Sequence, residues 1–162
     1  MNTMTRMTLK TEGDTNIIVT RHFQAKPEAL YRAHTEPALI QKWLLGPDGW
    51  TMPVCISEPR PGGRIRYEWV NPSKGEFARF HATGEYIELQ PFSRIVHVER
   101  MFLPDPTPDN HIETLFEPDG DGTLMTMRMT LPDAATRAKM LSSNMEYGME
   151  MSYVRLEGLF AA

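Results

Sequence analysis

The sequence predicts an α+β protein: a curved, largely antiparallel sheet of about seven strands, wrapped around one long C-terminal helix. Three observations carry this. Leu141, Met145, Gly148, Ser152, Leu156 and Leu159 recur three or four residues apart, so residues 132–162 read as a helix with one buried stripe. Residues 51–131 read as a series of short strands separated by turn signals, among them Pro61-Gly62-Gly63 and Asp119-Gly120-Asp121-Gly122. Connections this short join neighbours as hairpins, which makes the sheet antiparallel.

The elements follow in order. Residues 1–16 are polar and are expected to be loose, leaving 17–162 as a single domain. Residues 17–23 form a first strand. Pro27 suits the first turn of a helix, because its ring sets φ and its missing N–H needs no partner there. Thr35 and Pro37 restart a second short helix carrying Ile40, Trp43 and Leu44. Residues 51–58 form the next strand, and 59–63 turn the chain. In 64–70, Ile65, Tyr67 and Trp69 share one face and Arg64, Arg66 and Glu68 the other. Residues 71–75 make a hairpin loop. Strands at 80–89, 94–103, 112–117 and 123–131 complete the order β-α-α-β6-α. Pro104, Pro106 and Pro108 mark an exposed loop.

Two features of the pattern point to a soft interior. Met125, Met127, Met129 and Leu131 alternate with Thr126, Arg128 and Thr130, opposite a helix that carries Met145 and Met149. Methionine is flexible and fills irregular space, so this surface serves either as core filler or as an adaptable pocket wall. Gly148 and Ser152 are small, flanked by Met149 and Tyr153, and a mid-helix Gly costs roughly 1 kcal/mol against Ala. Small residues where the helix crosses the sheet leave space for a pocket beneath. The alternative is that Gly148 only lets backbone approach backbone.

Composition excludes several classes of function. The chain has 162 residues, a net charge of -4 and no basic cluster, which argues against nucleic acid as a partner. No stretch approaches the roughly 20 apolar residues that span a bilayer, and no apolar run follows Arg6 and Lys10 as a secretion signal would require. The one cysteine, Cys55, argues for a reducing, cytoplasmic setting and sits in an apolar stretch as a small core residue. The five histidines lack ligand spacing, so no metal and no cofactor are expected. Pro61-Gly62-Gly63 lacks the Lys-Ser/Thr ending of a phosphate loop, and residues 119–130 lack the final Glu of a calcium loop.

Arg21-His22-Phe23, Pro27-Glu28, Trp43 before Gly46-Pro47, and Arg60-Pro61-Gly62-Gly63 follow one another in the chain. So do Gly84-Glu85, Pro91 before Arg94-Ile95-Val96, Gly122-Thr123, and Gly148 through Leu156 and Leu159. This ordered set resembles the activator of heat-shock-protein-90 ATPase homologue-like family of the SRPBCC (START/birch-pollen-allergen-like) superfamily. The resemblance runs over about 17–160. It implies a helix-grip fold and a hydrophobic cavity between sheet and C-terminal helix. In that superfamily such cavities take lipids, sterols or polyketides, and some members catalyse cyclisation or hydrolysis. Eukaryotic activators carry a further N-terminal domain. The short run before residue 17 leads us to expect that domain to be missing, so chaperone activation does not follow from the resemblance.

The candidate ligand contacts are Trp43, Trp50, Tyr67, Trp69, Tyr86, His97, Glu99, Met127, Met129, Met145, Met149 and Tyr153. Aromatic rings bring apolar area, and Tyr and Trp add a polar tip. Trp43 and Trp50 flank the 44–49 loop, near the cavity mouth of the fold that the resemblance implies. His97 and Glu99 share a strand face with Ile95 and Met101. If that face is inward they are buried ionisable groups, which are costly and often mark sites. Val96, Val98 and Phe102 form a competing apolar face and favour an outward His97 and Glu99. The leading functional expectation is a carrier or sensor of a hydrophobic small molecule, as monomer or homodimer. The others are a cavity enzyme using His97 and Glu99, with Tyr67 or Tyr86, as acid and base, and a chaperone-associated or stress-response interaction module.

Overall fold

The structure is a computed structural model that describes residues 6–75, 78–103 and 105–160. Its centre is one antiparallel sheet of eight strands: β1 (Thr8–Glu12), β2 (Asn16–Phe23), β3 (Thr51–Ser57), β4 (Arg64–Val70), β5 (Arg79–Gln90), β6 (Arg94–Phe102), β7 (Asn110–Asp119) and β8 (Gly122–Thr130). The spatial order is β1-β2-β8-β7-β6-β5-β4-β3. Helices α1 (Pro27–Thr35) and α2 (Pro37–Trp43) link β2 to β3, and α3 (Ala134–Leu141) and α4 (Met145–Leu159) follow β8.

Two expectations are corrected. Residues 8–12 are a strand rather than a loose lead, turning at Gly13 (φ +57°) to pair with 16–20 of β2. Their pattern is polar because β1 is an edge strand, four of whose five residues are exposed. The single C-terminal helix is two. Ser142 and Ser143 turn their hydroxyls back to Lys139 O (2.8 Å) and Met140 O (2.6 Å), and Asn144 takes a left-handed φ of 64°. Serine satisfies backbone carbonyls locally, and Asn tolerates that region better than other non-glycine residues, so the triplet ends one helix and redirects the next.

The concave face follows from register. One row across the sheet reads Ile17, Met129, Ile112, His97 and Tyr86; the next reads Asn110, Glu99, Gly84, Ile65 and Ser57. A Cβ at Gly84 would stand 2.1 Å from Val98 O, so only glycine permits β5 and β6 to approach there.

The chain holds α4 onto this face by charge as well as apolar contact. Arg21, buried beneath the helix, reaches Glu157 at 3.2 Å and Glu150 at 3.9 Å, with its guanidinium 4.5 Å over the Phe23 ring. Tyr153 lies between Phe23 (edge-on, 5.8 Å) and Trp43 (stacked, 6.0 Å), and Leu156 is fully buried. Gly148 and Ser152 face the loop after α2. A Cβ at Gly148 would meet Pro47 Cδ at 3.7 Å, and Ser152 Oγ accepts a hydrogen bond from Gly46 N at 2.9 Å. Arg155 donates to Gly46 O and Asp48, so the small residues seat the 45–48 loop against the helix.

Candidate functional site

The polar residues of the concave face gather on β3–β7, away from the Arg21 clamp. His97 and Glu99 point inward with Ile95, contrary to the balance of apolar residues in their strand. Val98, on the opposite face, is buried too, so apolar content does not distinguish the two sides. His97 Nε2 lies 3.5 Å from a Glu99 carboxylate oxygen. Asn110 stands directly across from Glu99 on β7. His97 Nδ1 and Asn110 Oδ1 are buried and have no hydrogen-bond partner among the described residues. Each such atom costs about 1–3 kcal/mol unless something outside the protein chain pairs with it.

Two tyrosines close the cluster. The Ser57 hydroxyl donates to Thr35 O at 2.7 Å, so its oxygen accepts from Tyr86 Oη at 2.6 Å. This relay ties the concave face to the corner where α1 gives way to α2. Burial pushes the Tyr86 phenol up to about 12. Burial, with Tyr86 and Glu99 nearby, holds Tyr67 well above its ordinary value. Both phenols keep their protons at neutral pH and can donate. Burial also pushes the Cys55 thiol up to about 11, which makes it a poor nucleophile.

His34, on α1, stands between the Trp43 and Phe116 rings at 4.8 and 5.0 Å. Its Nδ1–H donates to Leu30 O at 2.7 Å, which leaves the lone pair on Nε2 in the neutral ring. Burial lowers its pKa to about 4 despite that bond, and nearby His97 adds to the lowering. It is therefore uncharged at neutral pH.

The remaining sequence candidates fall into separate groups. Trp43 is a core residue: it is buried, donates from Nε1 to Ala33 O at 2.8 Å and stacks on Tyr153. Trp69 donates to Leu44 O, stacks on Phe80 at 4.7 Å, and meets Tyr67 edge-on at 5.7 Å. Trp50 is half-buried and also touches Phe80, at 5.1 Å, so the Tyr67 end of the cluster continues into an aromatic wall. Met129 is buried on β8, while Met127, Met145 and Met149 are half-buried against the core. Asn110, Ser57 and His34 were not among the candidates. Asn110 escapes a local reading because β7 begins two polar residues before its first apolar one, Ile112.

Two clefts, of about 220 and 340 Å³, lie at the β4–β5 end and beside Pro27 and Gly122. Among the described residues, no cluster of three or more His, Cys, Asp or Glu could hold a metal ion. No helix among them is long and apolar enough to cross a membrane.

This sheet, gripping a C-terminal helix and presenting a polar cluster on its concave side, is the helix-grip class of α+β protein. The chain belongs to the activator of Hsp90 ATPase homolog 1-like family, whose model matches residues 24–161. A crystal structure of a Rhodobacter sphaeroides protein is 30% identical, covers 95% of this chain and 97% of its own, and has a TM-score of 0.87. A Mycobacterium smegmatis protein shares the fold at 21% identity, over 96% of this chain and 98% of its own, with a TM-score of 0.83. So does an AHSA1-like protein from Aeromonas hydrophila, at 18% identity, 91% and 96% coverage and a TM-score of 0.71. A comparison with curated proteins finds no match. The fold supports a ligand-binding or interaction module in general.

Proposed function

We propose that the protein binds a hydrophobic small molecule on the concave face of β3–β7, as a carrier or sensor in a reducing, cytoplasmic setting. The observation that carries this is the pair of buried side-chain atoms without protein partners, His97 Nδ1 and Asn110 Oδ1, beside Glu99. Ligand sites are mostly apolar, with a few polar groups that fix orientation. Here Trp69, Met101 and Ile112 supply the apolar share. His97 and Glu99, 3.5 Å apart, also favour a second reading, a cavity enzyme that moves a proton through this pair.

Native mass spectrometry of the freshly purified protein, before and after denaturation, tests the binding reading. An extra mass present in the native state, lost on denaturation and depleted in the His97→Phe/Asn110→Leu variant, supports it. A bare native mass, or a bound mass that ignores those substitutions, counts against it.

A further inference from the structure

The polar end of the concave site is short of positive charge. Its carboxylate, Glu99, faces Asn110 across the sheet and has Tyr67 and Tyr86 close enough for its charge to be felt by both phenols. Among the described residues, no Lys or Arg of β3–β7 shares the face of Ile65, Tyr86, Ile95 and Ile112; their arginines lie in the alternating positions. The concave arginine of β2, Arg21, is held by Glu150 and Glu157 of α4, and Arg155 by Asp48 and Gly46 O. Among the described residues, the charged or titratable groups left around the site are Glu99, His97, His34, the Cys55 thiol and the phenols of Tyr31, Tyr67 and Tyr86.

This inventory selects among ligand head groups. A carboxylate or phosphate entering here meets Glu99 with no fixed cation to offset it, and a second buried anion without a partner is costly. An ether or ketone can accept but cannot use Glu99 or Asn110 Oδ1. An ammonium can pair with Glu99 but has no lone pair to accept from Tyr67, so it meets the carboxylate and not the phenol. A hydroxyl does both: it donates to Glu99, Asn110 Oδ1 or the lone pair of His97 Nδ1 and accepts from Tyr67. The rings of Tyr67, Trp69 and Phe80 continue from that point as a wall for a flat body.

We infer that the concave site selects an apolar, ring-bearing molecule whose polar end is an uncharged hydroxyl, with Glu99 and Asn110 as the residues that exclude anionic head groups. This rests on the binding reading above.

Four naphthalenes with one body and different heads separate the two: 2-naphthol, 2-methoxynaphthalene, 2-naphthoate and 2-naphthylmethylammonium, titrated into ¹⁵N-labelled protein at pH 7 with amide shifts recorded. The inference expects saturable shifts along β6 and β7 around His97, Glu99 and Asn110. It also expects 2-naphthol to bind about tenfold or more tighter than the naphthoate and the methyl ether, as a charge-assisted hydrogen bond warrants. Glu99→Gln keeps the shape and removes the charge, and should shrink the naphthol-to-naphthoate ratio at least threefold. Saturable binding at the same residues with naphthoate, ether or ammonium equal to or tighter than naphthol overturns the hydroxyl selection alone. So does a ratio unmoved by Glu99→Gln. No saturable shift on β3–β7 with any of the four overturns the site itself, and the selection with it.

Discussion

Replacing Arg21 by Met tests the clamp between sheet and helix. Methionine keeps an apolar stem against Phe23 and removes the charge. The Arg21 side chain is 3% exposed, while its partners Glu150 and Glu157 are 22% and 27% exposed. Breaking one side of a fully buried pair costs about 3–5 kcal/mol. Here the stranded carboxylates keep some water, and each retains a backbone donor, Met7 N at 3.1 Å and Gln24 N at 3.0 Å. The cost should therefore fall to about 2–3 kcal/mol, or a melting temperature lower by roughly 4–12 °C for a chain of this size. Urea denaturation followed by tryptophan fluorescence measures it, because Trp43 stacks on Tyr153 of α4 and reports on helix docking. Glu157→Gln, made alone and with Arg21→Met, closes a double-mutant cycle. A loss for Arg21→Met below about 0.5 kcal/mol, or a coupling indistinguishable from zero, refutes the clamp.

Two further outcomes follow from the same geometry. Folded His34 stays unprotonated down to about pH 4, whereas the unfolded chain takes up that proton near 6.5. Its contribution is complete above pH 6.5 and is lost as pH falls toward 4, about 1–3 kcal/mol in all. Urea midpoints of wild type and His34→Gln should therefore converge across that window, and parallel curves would refute the assignment. Gly84→Ala and Gly148→Ala should differ in sign. The first drives a methyl to within 2.1 Å of Val98 O and should cost about 3 kcal/mol or more. The second meets only Pro47 Cδ at 3.7 Å and should gain up to about 1 kcal/mol of helix propensity, both read by thermal melts.

What was legible in the sequence is what local physics decides. The alternation in Arg64–Val70 and the prolines at the starts of α1 and α2 predicted those elements within a residue or two. The β1 strand was not legible, because an edge strand exposed along most of its length carries no apolar alternation, and only its pairing with β2 makes it a strand. The break at Asn144 was hidden by a stripe that keeps helical spacing across it, although Ser142-Ser143-Asn144 held the signal. Within the candidate site, Tyr67 was readable as inward from its own strand. The direction of His97 was not, since Ile95 and Val98 are both buried on opposite faces of β6. Asn110 takes its place only from pairing with Glu99, a long-range fact invisible to local pattern.

The strand order has a consequence for how this chain can change. The charged anchor of α4, Arg21, lies on β2 toward one end of the strand order, while the polar cluster lies on β3–β7 toward the other. The charge that anchors the helix and the polar groups offered to a ligand thus stand on different stretches of one sheet. Head-group selection can be rewritten at positions 67, 97, 99 and 110 while the residues that anchor the helix remain untouched. At 97 and 110 substitutions replace atoms that the fold leaves unpaired, so variation there can retune the ligand without touching the Arg21 clamp.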